Sequence, residues 1–291
     1  MKNGTDMTWH AQLALNYSSQ TLSEGARKTS VHFTHDGPLR VLKSLYPEGS
    51  EICHNVLVHP PGGLVGGDVL DIAVQVEAGA HALVTTPGAT RFYKSNGKPA
   101  LQHTRLKLAA GARLEWLPLE AIAYNACDAV NQLEFELAEG AQLLSWDVTA
   151  LGLPLADQPY AQGVFTQHLE WPGRFLERGV ISAQDGLLLD GALGLAGRRC
   201  MASLVFASGS PISRPLRETL LESTHALLQT SASSAGQAVV AGVTAPNEHM
   251  LVLRGLAPVV EPVMNVWKQV WTHWRAELWG LQGSTPRIWN M

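Results

Sequence analysis

Val76-Glu77-Ala78-Gly79-Ala80, Leu108-Ala109-Ala110-Gly111-Ala112 and Leu137-Ala138-Glu139-Gly140-Ala141 share one template, in which Gly-Ala follows an aliphatic residue after three positions. The glycines lie 32 and 29 residues apart, and ten residues after each comes an alanine, Ala89, Ala121 or Ala150. Each copy is entered by a period-two pattern, the signature of a strand with one face buried. Leu70, Ile72, Val74 and Val76 alternate in the first, and Thr104, Leu106 and Leu108 in the second. In the third, Leu133, Phe135 and Leu137 face one way and Gln132, Glu134 and Glu136 the other. Strand, glycine turn and strand recurring at this period predict a mainly β protein of stacked strand coils, β-helix or solenoid-like. A series of ordinary hairpins in a sandwich is the alternative.

Strand patterns continue through residues 164–169, 175–182 and 201–207. Helical periodicity is confined to the C-terminal part, where two helices are expected. The first covers about 213–229, with Ser213 as N-cap, Pro215 in the first turn and Leu216, Leu220 and Leu227 on one face. Residues 231–237 read as a small-residue loop. The second helix covers about 261–279, carries Met264, Trp267, Trp271, Trp274 and Leu278 on one stripe, and ends at Gly280. That stripe is expected in the core. Lys268, His273 and Arg275 in the C-terminal half suit the helix dipole. The expectation is one domain over 1–291, with a β core over about 1–208.

Charged residues make up 16% of the 291 residues, against about 25% in an ordinary soluble protein. Either the core is large or partners cover part of an apolar surface. A net charge of −4 argues against nucleic acid as the main partner. No apolar run or leader-like segment suggests a membrane or secretion, and three scattered cysteines fit a reducing cytoplasm.

Residues 59–68, His-Pro-Pro-Gly-Gly-Leu-Val-Gly-Gly-Asp, must turn sharply or be approached closely by other backbone. Gly62 and Gly67 have phosphate-loop spacing, but Asp68 replaces the lysine such a loop needs. Dinucleotide, nucleophile-elbow and zinc-protease patterns are missing too. Cys53, His54 and His59 form the densest group of metal-ligand types. On a strand Cys53 and His54 point to opposite faces, so they are weak candidates for one ion. Asp68, Asp147 and Glu177 each stand in an apolar or glycine-rich setting, where a carboxylate must be paired, hydrogen-bonded or wet. A turn cap or a nearby arginine such as Arg174 or Arg178 would satisfy that need without any function. Alternation puts Asp147 on the face of Leu143 and Ser145.

The 59–68 run and Thr85-Thr86-Pro87-Gly88-Ala89-Thr90-Arg91-Phe92-Tyr93 together resemble the signature of the UreD (UreH) urease accessory family. Gly37-Pro38-Leu39-Arg40-Val41, Cys53-His54, Leu114-Glu115-Trp116-Leu117-Pro118, Trp146-Asp147 and Pro286-Arg287-Ile288-Trp289 extend the likeness over most of the chain. Asn55, Val69 and Tyr124-Asn125 depart from the more usual family residues. The resemblance implies a non-catalytic urease maturation factor of mostly β, β-helix-like fold with two helices. Its partners would be apo-urease, a UreF-like adaptor and a UreG-like GTPase that hydrolyses GTP and delivers nickel. No tightly bound cofactor is implied, only nickel in transit. The resemblance makes Asp68, Asp147 and Glu177 candidates for a nickel conduit. It makes Gly62, Gly63, Gly66, Gly67 and Thr90 candidates for a structural or partner-binding loop. A conduit favours isolated oxygen ligands, since a closed set of thiolates and imidazoles would retain the ion. A β-solenoid polysaccharide-active enzyme or a structural β-solenoid are the other readings. The first should show paired carboxylates at working separation.

The low charge generates a first prediction. Expressed alone, the protein should aggregate, and co-expression with a UreF-like partner should raise its soluble yield. A stable monomer at high concentration, indifferent to that partner, would contradict it.

Overall fold

Each glycine of the repeat is a corner. Gly79, Gly111 and Gly140 all adopt φ between 65° and 71°, a region open to glycine and strained for a side chain with a Cβ. In the computed structural model, which describes residues 8–22, 25–234 and 239–290, the chain crosses at each corner from one sheet to another. One sheet holds β1 (His10–Thr21), β2 (Arg27–Asp36), β5 (Val69–Val76), β8 (Ala100–Leu108), β11 (Cys127–Leu137), β14 (Gly163–Trp171) and β15 (Phe175–Ser182). Its order is β15-β14-β11-β8-β5-β1-β2. The second holds β3 (Arg40–Val41), β4 (Ile52–Val58), β6 (His81–Thr85), β9 (Arg113–Leu117), β12 (Gln142–Leu153), β16 (Cys200–Ser208), β17 (Val240–Asn247) and β18 (Met250–Ala257). Its order is β17-β18-β16-β12-β9-β6-β4-β3, and short β7 (Thr90–Phe92), β10 (Ala121–Ala123) and β13 (Gln158–Pro159) extend it.

The spacing of the glycines is the register of the parallel ladders. Val76 lies opposite Leu108, and Leu108 opposite Leu137. Across the corner His81 lies opposite Arg113, and Arg113 opposite Gln142. These coils are the stacked arrangement that the repeat predicts. The alanines do not keep step. Ala121 pairs with Thr90 and Thr149 rather than with Ala89 and Ala150. The link between β9 and β10 is one residue shorter than that between β6 and β7, so the register slips by one.

The second sheet is covered on both faces, and β4 and β6 are accordingly buried in almost every position, the polar His54, Asn55, His81 and Thr85 included. The first sheet alternates, for example Leu70, Ile72, Val74 and Val76 in and their neighbours out. One core fills the space between the sheets. A second lies between the other face of the second sheet and the helices.

There are three helices among the described residues: α1 (Gly186–Asp190), α2 (Arg214–Ser234) and α3 (Val260–Trp279). The short α1 was not expected. Ser213 accepts the bond from the Arg217 N–H, as an N-cap residue does. Helix α2 runs on through residues 231–234, which the sequence reading gave to a loop; residues 235–237 lie outside the described residues. The strands also do not stop near 208, since β17 and β18 follow α2 and pair antiparallel on the edge of the second sheet. Gly280 ends α3 in the left-handed conformation. No helix among the described residues is long and apolar enough to cross a membrane.

Helix α3 is fastened by a buried charge. Arg275 and Glu115 are both 0% exposed, and their Nε and Oε2 atoms are 3.0 Å apart in an ion pair off the N–H axis. Its two terminal nitrogens reach the two oxygens of Glu48 at 2.9 and 3.0 Å. His54 bonds Glu48 at 2.9 Å, and His81 bonds Glu115 at 3.0 Å. Burial alone would push the Glu48 carboxyl up, but the bonds and charges of His54 and Arg275 hold it below its ordinary value. Arg275, which the sequence reading grouped with Lys268 and His273 as cations suited to the helix dipole, is thus a core residue. Trp267, Trp271 and Trp274 are fully buried, as expected of the stripe. Trp271 donates to Glu115 at 2.6 Å and Trp274 to Thr224 of α2 at 2.9 Å.

Replacing Trp271 by alanine should cost about 3–5 kcal/mol, the range for a deleted core tryptophan. Chemical denaturation measures it. A variant as stable as the wild type would remove Trp271 from the core.

Candidate functional site

The glycine run 59–68 joins β4 to β5 and is stitched to β7 and the segment that follows it. Leu64 donates to Arg91 O at 2.7 Å, Tyr93 donates to Leu64 O at 2.8 Å, and Gly67 donates to Pro99 O at 3.0 Å. Two glycines are needed for conformation and two for space. Gly62 and Gly67 have φ of 81° and 94°. A Cβ on Gly63 would strike the Tyr93 ring and come within 2.8 Å of Arg91 O, and one on Gly66 would lie 2.5 Å from Lys98 O. Asp68 closes the run. It is 3% exposed, and its two oxygens accept the N–H groups of Trp9 and Val65 at 2.9 Å each. Its position is that of a turn cap.

Behind this loop, between the sheets, lies a cavity of about 230 Å³ lined by His59, Gly62, Gly63, Thr90 and Trp116 among others. Burial pushes the His59 imidazole below its ordinary pKa, against the pull of the Asp68 charge. Its Nε2 is buried without a partner. A second cavity of about 180 Å³ is lined by Asn131, Asp147, Gln167, Glu177 and Met201. Gln102, Trp116 and Pro118 line both. The two cavities therefore abut, and they follow one another across the coils, from the β4–β5 loop toward β15.

Asp147 lies on the inner face of β12, as alternation predicts. It accepts from Asn131 at 2.9 Å, Thr149 at 3.0 Å and Gln167 at 2.6 Å. None of these donors is charged. Burial, with a smaller push from Glu177, outweighs these bonds and raises the carboxyl to about 6. Glu177 is paired with Arg254 of β18, Oε2 to the terminal nitrogen at 2.5 Å and to Nε at 3.1 Å. Arg174 and Arg178, the arginines adjacent in sequence, are not its partner. Its side chain is 39% exposed, so that wall of the second cavity is also protein surface.

The structure thus brings Asp147 and Glu177 into one cavity, and His59, Gly62, Gly63 and Thr90 into its neighbour. Asp68 is placed in the loop beside the first. Cys53 and His54 point to opposite faces of β4. The thiol is in the core between the sheets, where burial raises its pKa, and the imidazole is on Glu48. Among the described residues no three His, Cys, Asp or Glu side chains converge as a metal-binding group. Sequence reasoning missed Gln102, Asn131 and Gln167. The 29-residue step from Gln102 to Asn131, equal to the glycine spacing, was the available signal.

Comparison with known proteins gives a consistent result. The family model described as UreD urease accessory protein matches residues 10–290. A protein of Paracidovorax citrulli named urease accessory protein UreD is 59% identical, over 98% of this chain and 100% of its own length. Proteins of the same name from Albidiferax ferrireducens and Methylibium petroleiphilum are 58% and 47% identical, each over 98% of this chain and all of their own.

The Asp147 carboxyl titrates near 6 in the fold, against about 3.9 in an unfolded chain. Between these values the folded state holds more protons, so stability falls as pH rises through the window. Wild type and Asp147→Asn should therefore differ by an amount that changes by up to about 3 kcal/mol between pH 7 and pH 4, in favour of the wild type at low pH. Denaturation of both proteins across that range measures it, and a pH-independent difference would contradict the assignment.

Proposed function

Because the chain belongs to the UreD family of urease accessory proteins, a family that supports urease maturation, we propose that it is the conduit by which nickel reaches the apo-enzyme. In this reading it binds apo-urease and recruits a UreF-like adaptor and a UreG-like GTPase, with GTP hydrolysis left to the latter. The protein itself is non-catalytic, acts in the cytoplasm and holds nickel only in transit.

The observation that carries the reading is the pair of abutting cavities with Asp147 in the wall of the second. A half-buried carboxylate without a cationic partner is poorly stabilised, and loss of hydration has already raised its pKa. A divalent ion arriving beside it relieves that penalty. One carboxylate is too few ligands to hold the ion, which is the property a relay requires. Glu177 stands where the passage meets the surface, and its pairing with Arg254 means an ion there competes with a guanidinium. Asp68 contributes differently, by fixing the glycine loop that walls the first cavity.

Asp147→Ala and Glu177→Ala should assemble normally on apo-urease but deliver less nickel, the double variant less than either single. Asp68→Ala should also lower stability, because two backbone N–H groups lose their acceptor. Metal analysis of the urease, together with gel filtration of the complex, tests this. Wild-type nickel content with all three acids replaced would place the conduit elsewhere.

A further inference from the structure

Gln102, Asn131 and Gln167 are neighbours in the first sheet. Gln102 lies opposite Asn131 across β8 and β11, and Asn131 opposite Gln167 across β11 and β14. One inward step along the same strands gives Ala100, Ala129 and Phe165, all buried apolar residues. A row of three amides therefore crosses an otherwise largely apolar inner face. Gln102 is in the wall of both cavities, and Asn131 and Gln167 in that of the second.

The hydrogen bonds of the row have a direction. Gln102 donates its amide to the Asn131 oxygen at 3.1 Å. A self-contained ladder would continue from Asn131 to Gln167. Instead both turn across to the facing sheet and donate to Asp147, at 2.9 and 2.6 Å. All three NH₂ groups are thereby engaged, and the side-chain oxygens of Gln102 and Gln167 have no protein donor among the described residues. The fourth strand of the stack breaks the row, since the position opposite Gln102 on β5 is Leu70. The row is thus restricted to the stretch from the boundary of the two cavities to Asp147.

We infer that Gln102, Asn131 and Gln167 form a rail of neutral oxygen donors that passes a divalent cation from the first cavity to Asp147. This inference rests on the conduit reading and deepens it by naming the ligands between the cavities. Amide oxygens are hard donors that replace water around a dication. Being uncharged, they hold it weakly enough for it to move on. The amide nitrogens meanwhile keep the Asp147 oxygens turned toward the path. Trp116 and Pro118, which line both cavities with Gln102, offer no side-chain oxygen there, and Ser145 and Ser203 add hydroxyls only farther along the second cavity.

The test uses the maturation complex on apo-urease and follows nickel transfer by metal analysis, with assembly and melting temperature measured in parallel. Gly179→Trp serves as the plug. Gly179 lines the second cavity, and a Cβ there meets no atom within 4 Å. The plug should stop transfer. Gln102→Met with Gln167→Met keeps length and removes the oxygens. It should assemble like the wild type, melt lower because two hydrogen bonds are lost, and transfer nickel roughly tenfold more slowly, the low end of the loss seen when metal-site partners are removed. Gln102→Asn, which keeps an oxygen, should retain most of the rate. If the double variant misfolds, Gln102→Met alone, which loses one bond, should still slow transfer severalfold. A plug that blocks and methionine variants that transfer at the wild-type rate would overturn the rail and leave the conduit standing. A plugged protein that transfers normally would overturn both.

Discussion

A guanidinium with no exposure to water holds the two halves of this protein together. Arg275 projects from α3 between Glu48 and Glu115, each of which is also bonded to a histidine of the second sheet. Such a group tolerates no vacancy. Removing one member of a buried pair generally costs about 3–5 kcal/mol, because the other is left charged in a medium that cannot solvate it. The arrangement fixes the helix at one height and one rotation. That in turn sets the tryptophans of α3 against a sheet whose other face is already covered. The inter-sheet space then owes its dimensions to a sheet that cannot flex outward.

That space is unevenly filled. Near the corners at Gly79, Gly111 and Gly140 it is packed with Val76, Leu108, Leu114 and their neighbours. Farther from the corners, polar side chains and cavities replace this packing, from the glycine loop across to β15. A solenoid can accommodate such a division because each coil supplies one residue per layer. A layer of alanine and leucine can adjoin a layer of amides without any change in backbone. The polar stretch is compatible with a stable fold because the remaining layers between the sheets are apolar and a second apolar cluster packs under the helices.

The repeat was legible because its signals are local. A period of two, a positive-φ glycine and a second copy at fixed distance each follow from neighbouring residues, and the ladders reproduce the 32- and 29-residue spacings. The face of Asp147 was legible for the same reason. Partners distant in sequence were not. Glu177 pairs with Arg254, 77 residues away, although two arginines lie within three residues of it. Arg275 meets Glu48 across 227 residues, and nothing in its own helix distinguishes it from an exposed cation. The amides were overlooked because glutamine and asparagine on a strand suggest solvent, and their inward direction depends on the strand's register. The one-residue slip of the alanines shows the limit of pattern matching, since link length decides pairing beyond the corner.

The segment 286–289 has a consequence for the order in which the protein is completed. Trp289 donates to Thr85 of β6 at 2.8 Å, and its ring lies 5.0 Å from that of Trp146 and 5.3 Å from that of Trp271. Trp146 in turn donates to Pro118 O at 2.6 Å. These contacts join residues separated by up to 204 positions, a topology that slows folding. On the ribosome, every strand of the second sheet is synthesised before α3 and residues 286–289, which cover much of its outer face. Until they emerge, the nascent chain presents a finished sheet whose outer apolar side has only α2 to cover it. Its safest course is to stay bound to something else for that interval.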